Sequence, residues 1–128
     1  MADTLLIDTD VIIDYLRGRT DAVAYLEGLT GTQLLSAITV AELYAGVREG
    51  NERLALEILI KAFEVVPVSD SIAVKGGLYR RDYVKSHNVG LADALIAASA
   101  ETRGAVLVTL NRKHFPMLSS VAVPYQKS

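Results

Sequence analysis

The sequence predicts an α/β domain with a central, mostly parallel sheet flanked by helices. Three observations predict it. Short, near-continuously apolar runs recur along the chain, at Thr4-Leu5-Leu6-Ile7, Gln33-Leu34-Leu35-Ser36, Val65-Val66-Pro67-Val68 and Ala105-Val106-Leu107-Val108. Strands apolar along their whole length are covered on both faces, as parallel strands are. Segments of helical periodicity separate these runs, and alternation of strand and helix is the pattern of a parallel sheet. Finally, 128 residues with 51% hydrophobic and 22% charged side chains suit one globular domain over residues 1–128. A chain of this size buries about two-thirds of its unfolded surface.

The elements follow in order. After the first strand, Asp8-Thr9-Asp10 opens a helix with Val11, Ile12, Tyr15 and Leu16 inward, closed by Gly18. Thr20 caps a second helix carrying Val23, Leu26 and Leu29. Thr39 to Val47 is helical, with Gly50 as its end, and Asn51 caps a helix with Leu54, Ile58, Leu59 and Ala62 on one face. Pro67 cannot donate a ladder bond, so the third strand belongs at a sheet edge. Ser69 or Asp70 starts a helix running toward Asn88, with Gly76-Gly77 inside it marking close packing or a break. Gly90 precedes a helix from Leu91 to Arg103, and Val121-Ala122-Val123 forms a last short strand.

Composition narrows the function. The chain has no cysteine, which excludes disulfides, thiolate zinc sites and a thiol nucleophile and suits a reducing cytoplasm. Met1-Ala2-Asp3 has no basic stretch before an apolar one, so no signal peptide is expected. No apolar run is long enough to span a bilayer. The net charge of -2 runs against the basic balance usual in nucleic-acid binders. Acids gathered around a metal account for that sign.

In open α/β sheets, ligands bind outside the carboxyl ends of the strands. Asp8 follows the first strand, Glu42 lies in the helix after the second, and Thr109 and Asn111 follow Val108. Asp93 begins the helix before that strand. Each has a plain structural alternative. Asp8 serves equally as an N-cap. Thr39-Val40-Ala41-Glu42 matches a capping box. Thr109 and Asn111 suit a turn. Asp93 resists such an explanation, because Gly90-Leu91-Ala92-Asp93-Ala94-Leu95-Ile96-Ala97-Ala98 is apolar on nearly every side. A helix N-terminus offsets only about 0.3–1 kcal/mol of the cost of a buried carboxylate. A cation offsets that cost and also the repulsion among three acids.

These stretches resemble the four motifs of PIN domains. Leu5-Leu6-Ile7-Asp8-Thr9-Asp10-Val11-Ile12-Ile13-Asp14 resembles the opening motif, and Thr39-Val40-Ala41-Glu42-Leu43-Tyr44-Ala45-Gly46 the second. Gly90 to Ala98 is similar to the third, and Leu107-Val108-Thr109-Leu110-Asn111-Arg112-Lys113-His114-Phe115 to the fourth. The resemblance runs in order from about Thr4 to Phe115, and Glu-Leu-Tyr-Ala-Gly at residues 42–46 points to the VapC branch, the toxins of VapBC pairs. It implies a cytoplasmic ribonuclease in which Asp8, Glu42 and Asp93 hold Mg²⁺ or Mn²⁺ and are the catalytic acids. Cleavage would leave a 5′-phosphate and a 3′-hydroxyl. The resemblance also implies a VapB-type antitoxin as partner, a homodimer, and no membrane association. In many relatives an acid stands where His114 stands here. Three carboxylates carrying about three negative charges favour one tightly held ion.

Around these acids, Thr109, Asn111 and Asp10 are auxiliary candidates, the first two for orienting waters or the scissile phosphate. Arg112, Lys113 and His114, beside the fourth motif, and Arg80 and Arg81, in the long helix, are candidate RNA contacts, with a solvated charged face as the alternative. Other functions compete. A non-catalytic PIN-like RNA- or protein-binding module would lack divalent-dependent cleavage. Asp8-Thr9-Asp10-Val11 also fits the nucleophile motif of haloacid-dehalogenase-like phosphatases, but Thr109 comes too late for that fold's remaining motifs. A receiver-like module would need an acceptor aspartate after a middle strand, and its one candidate, Asp70, reads as a helix cap. No P-loop, dinucleotide fingerprint, HExxH or Gly-x-Ser-x-Gly occurs.

Overall fold

In the computed structural model, which describes residues 3–127, five short strands pair into one sheet in the order β3-β2-β1-β4-β5. The strands are β1 (Leu5–Ile7), β2 (Leu34–Ser36), β3 (Glu64–Val66), β4 (Val106–Val108) and β5 (Val121–Ala122). All four pairings are parallel, with Leu6 opposite both Leu34 and Leu107. Met1, Ala2 and Ser128 lie outside the described residues, and so does part of the N-terminal stretch read above as no signal peptide. Among the described residues, no helix is long and apolar enough to cross a membrane.

Successive strand side chains point to opposite faces, and two cores result. Leu6, Leu34, Val66 and Leu107 join Ile72, Ile96, Ala97 and Phe115 on one face. There lie α5 (Asp70–His87) and α6 (Leu91–Thr102). Ile7, Leu35 and Val108 join Val11, Ile12, Leu43 and Leu56 on the other. That face carries α1 (Thr9–Leu16), α3 (Ala37–Ala45) and α4 (Asn51–Lys61), while α2 (Thr20–Glu27) packs beside α1. β3 lies at an edge, as expected, but it runs over Glu64–Val66 and stops before Pro67, which ends the strand rather than sitting in it.

Several local expectations are corrected. Helix α3 starts at Ala37, because Ser36 caps it by accepting from the Ile38 N–H at 3.0 Å. Thr39 is therefore a buried residue inside the first turn and no cap. The helix ends at Gly46, while Gly50, at φ +94°, leads into α4. Helix α2 begins after Arg19, with no side-chain cap from Thr20. In α1, Leu16 faces solvent, and Asp14 occupies the buried position instead, held by Tyr125 and Lys127. In α4 the apolar residues split between two faces. Leu56 is buried and Leu59, Ile60 and Phe63 pack around it, whereas Leu54 and Ile58 are exposed. At about 100° per residue, Leu54 and Leu56 point nearly opposite ways.

Gly76 and Gly77 have different reasons. A Cβ at Gly76 would lie 2.5 Å from Leu95 Cδ2 and 3.1 Å from Leu95 Cα, so the glycine lets α5 and α6 approach closely. Nothing lies within 4 Å of a Cβ at Gly77. Lys75 and Tyr79, on α5, both reach Glu101 on α6 and tie the same pair of helices. Gly77→Ala is expected to raise stability by about 1 kcal/mol through helix propensity. Gly76→Ala is expected to lower it, because overpacking costs about 1–3 kcal/mol. Urea unfolding of the two variants beside the parent measures both signs.

Candidate active site

The strands all run one way, so their carboxyl ends share one edge, and the candidate residues gather there. Asp8 follows β1 and caps α1, its Oδ1 accepting from the Thr9 N–H at 2.9 Å. Its Oδ2 accepts from the Thr109 hydroxyl at 2.7 Å, a bond that reaches across from the end of β4. Asp8 is thus a helix cap and more than one, since only one oxygen serves the helix. The residue is 6% exposed. Burial, then the Asp10 charge, pushes its carboxyl up to about 7, against the hydrogen bonds from Thr109 and Thr9, with Asp93 adding to the rise.

Asp10, in the first turn of α1, is gathered by the loop after β4. Its Oδ2 accepts from the Leu110 N–H and from Asn111 Nδ2, both at 3.1 Å. Its Oδ1 is buried with no hydrogen-bond partner among the described residues. Burial raises this carboxyl too, against the bonds from Leu110, Val11, Thr109 and Asn111. Thr109 and Asn111 therefore spend their polar groups on Asp8 and Asp10, where the sequence suggested waters or the scissile phosphate. The Asn111 N–H also donates to Thr109 Oγ1 at 3.1 Å, which aims the Thr109 proton at Asp8.

Glu42 comes from the middle of α3 and is exposed. The Thr9 hydroxyl lies 2.7 Å from Glu42 Oε1 and 3.0 Å from Thr39 Oγ1, and its one proton goes to the nearer, charged oxygen. Since Ser36 caps α3, the capping-box explanation of Glu42 falls away. Asp93 stands in the first turn of α6 and is half-buried, with 32% of its side chain exposed, less enclosed than the apolar run implies. Full burial in α6 begins at Ala94. Burial raises the Asp93 carboxyl, His114 lowers it, and Glu42 and Asp10 raise it further. His114 Nδ1 lies 3.4 Å from Asp93 Oδ2, so the histidine at the usual fourth-acid position faces an acid.

The four acids thus sense one another, and among the described residues no lysine or arginine pairs with any of them. An all-oxygen donor set suits a hard divalent cation. The unpartnered Asp10 Oδ1 and the raised carboxyls are the marks of a site short of positive charge. Among the described residues, no three His, Asp or Glu side chains stand close enough together to hold a metal ion as they are placed, so Asp8, Glu42 and Asp93 would have to draw together around one. Glu42 is exposed, held at one oxygen by Thr9.

Beside Asp10 opens a cleft of about 710 Å³ lined by Asn111, Arg112, Lys113 and His114. Arg80 and Arg81 do not line it. They sit about two turns before the end of α5, away from the α5–α6 junction that leads to Asp93, and Arg81 pairs with Asp82. The far wall of the cleft, Tyr125 to Lys127, and its anchor Asp14 escaped the sequence reading. A lone acid on an apolar helix face was the available signal for Asp14.

A PIN domain family model matches residues 5–119. Over 124 residues the chain is 39% identical to ribonuclease VapC10 of Mycobacterium tuberculosis, spanning 94% of this chain and 92% of that protein. It is 40% identical over 124 residues to ribonuclease VapC19 of the same organism, spanning 94% and 98%. A solved toxin–antitoxin complex from Klebsiella pneumoniae contains a chain of the same fold, with a TM-score of 0.84 and 27% identity over 97% of this chain and 100% of that one.

The raised Asp8 carboxyl has a consequence for stability without metal. Unfolded, Asp8 releases its proton near the ordinary 3.8; folded, it keeps it to about 7. Between those values the folded state binds more protons, so this residue makes stability fall as pH rises. In metal-free protein, Asp8→Asn is expected to be more stable than the parent at pH 8, with the difference shrinking toward pH 4. Thermal melts across that range in chelator test it, and a difference independent of pH would refute it.

Proposed function

Because the chain belongs to the PIN domain family, and because its sheet edge gathers acids short of positive charge, we propose that it is a divalent-metal-dependent ribonuclease. The observation that supports this most is the raised ionisation of Asp8, Asp10 and Asp93 side by side, with the buried Oδ1 of Asp10 unpartnered. In this reading Asp8, Glu42 and Asp93 hold Mg²⁺ or Mn²⁺, and they are the catalytic acids. When bound, such an ion supplies Lewis acidity toward phosphate oxygens and makes water acidic enough to attack near neutral pH. Thr109 holds Asp8 in place and Thr9 turns Glu42 toward the same edge. Leu110 and Asn111 orient Asp10 beside them. Arg112 and Lys113, which line the cleft beside Asp10, would contact RNA phosphates. In-line attack at phosphorus then leaves a 5′-phosphate and a 3′-hydroxyl. An enzyme of this kind works where its RNA is, in the cytoplasm.

The same reading extends the toxin–antitoxin pairing of the Klebsiella pneumoniae structure to this chain. A second cleft, about 340 Å³, runs from Ile13 and Leu16 past Leu43 and Val47 to Glu42. Its apolar lining, completed by Leu56 of α4, suits the apolar face of a small antitoxin of the VapB type, while Leu54 and Ile58 point to the opposite side of α4 and do not line it. Val74 and Leu78 on α5 leave a further apolar strip exposed, which suits a homodimer contact.

Two outcomes are expected. Asp8→Asn and Asp93→Asn should each stay folded and lose RNA cleavage by more than the about 10–100-fold typical of residues that merely support a metal ligand. Chelation should silence the parent, and Mg²⁺ or Mn²⁺ should restore it. Cleavage within a few-fold of the parent in either variant would sink the site. Second, expression of the chain by itself should arrest growth, Asp93→Asn should not, and light scattering should give the mass of a dimer. Harmless expression together with a monomeric mass would contradict the pairing.

A further inference from the structure

Asp14 lies one helical turn beyond Asp10 on α1 and is 4% exposed. It takes no part in the acid cluster. Three groups from elsewhere close on it instead. The Tyr125 hydroxyl donates to its Oδ2 at 2.8 Å, and Lys127 Nζ stands 3.0 Å from its Oδ1. Arg19 Nε lies 3.9 Å from Oδ2, and the same guanidinium sits 5.5 Å from the centre of the Tyr125 ring. The chain leaving β5 is thereby folded back over α1. A buried carboxylate with such partners is not an accident of the surface, since without them it would carry an uncompensated charge.

The pinned segment faces something. Val123, Tyr125, Gln126 and Lys127 form one wall of the 710 Å³ cleft whose other wall is Asn111 to His114 and whose inner end is Asp10. The lining carries Arg112, Lys113 and Lys127 against one acid. Lys127 keeps 48% of its side chain exposed, and an ammonium has three donors, so one can serve Asp14 while others reach a phosphate. The volume is that of a small-ligand site, about 300–1,000 Å³. That is room for a few nucleotides of one strand. A groove with cations and an aromatic ring is what a single strand needs.

We propose that residues 123–127 form the second wall of a path that leads single-stranded RNA to the acids, with Lys127 contacting phosphate. Asp14 is a positioning residue that acts only through Tyr125 and Lys127. This inference rests on the ribonuclease reading for the identity of the ligand.

The test separates binding from cleavage. A short labelled single-stranded RNA is titrated by fluorescence anisotropy at several salt concentrations, with every protein carrying Asp93→Asn. Lys127→Met should flatten the slope of log affinity against log salt by about one phosphate contact. Kinetics in the otherwise unaltered chain should show KM raised about tenfold and kcat held within about threefold in the Tyr125→Phe, Lys127→Met double variant. Asp14→Ala should reproduce the rise in KM although it touches no ligand. Should Asp14→Ala or the double variant fail to fold, Lys127→Met decides, since its side chain is half exposed and Tyr125 and Arg19 still partner Asp14. Folded variants with the parent's salt slope and KM would overturn the proposal, as would a parent chain that binds no single-stranded RNA. Binding with the expected slopes but no cleavage would support the wall and defeat the ribonuclease reading alone.

Discussion

The pairing of β1 with β4 is the contact from which the site follows. Leu5, Leu6 and Ile7 lie opposite Val106, Leu107 and Val108, and the ladder continues past the strand end with the Asp8 N–H donating to the Val108 carbonyl at 2.8 Å. That register brings Thr109 beside Asp8, 101 residues away in sequence. A slip of one residue would exchange the two faces of β1. Ile7 would leave the core it shares with Val11 and Val108, and Asp8 would leave Thr109. The strand cores and the acid cluster therefore depend on one alignment.

The cluster works against stability and the cores offset it. Carboxylates pushed above their ordinary range are a cost in the folded state, concentrated here on Asp8 and Asp10, whose neighbours are hydrogen-bond donors and one another. Hydroxyls and amides from Thr9, Thr109, Leu110 and Asn111 hold the oxygens in place without neutralising them. A lysine in the same position would stabilise the domain and fill the site with its own charge. What remains is geometry kept rigid by two apolar layers, with Leu6, Ile7, Leu35, Leu107 and Val108 fully buried. Oriented but uncompensated acids are the condition for taking a cation from solution.

Two tertiary ties shape the surroundings of the acids. On one face, Gly76 lets α5 lie against Leu95, which sets the position of α6 and of Asp93 at its start. On the other, Asp14 binds the segment after β5 to α1 and closes one side of the cleft. Neither tie involves an acid of the cluster, and each acts on it through the backbone it positions.

The sequence by itself determined the layered α/β class, the strands in chain order and the edge place of the third, and it singled out Asp8, Glu42 and Asp93, although Glu42 proved to lie in the middle of its helix. Those features are written in local pattern: apolar runs, helical period, Pro67, and polar residues where a strand gives way to a helix. Four motifs in order also made the family legible before any coordinate. Tertiary structure decided the rest, because the deciding contacts join residues that pattern cannot relate. Asp14 reads as a misfit on an apolar helix face until Tyr125 and Lys127 arrive from the far end of the chain. Leu16, Leu54 and Ile58 belong to apolar stripes whose buried side is set by what packs against them, and Leu56 took the place expected for its neighbours. Thr109 and Asn111 fitted either a turn or the orientation of water and phosphate, and the sheet register set them against Asp8 and Asp10. Local pattern carries propensity and periodicity; which hydroxyl meets which carboxylate depends on strand alignment over a hundred residues of chain, and only the folded sheet supplies it.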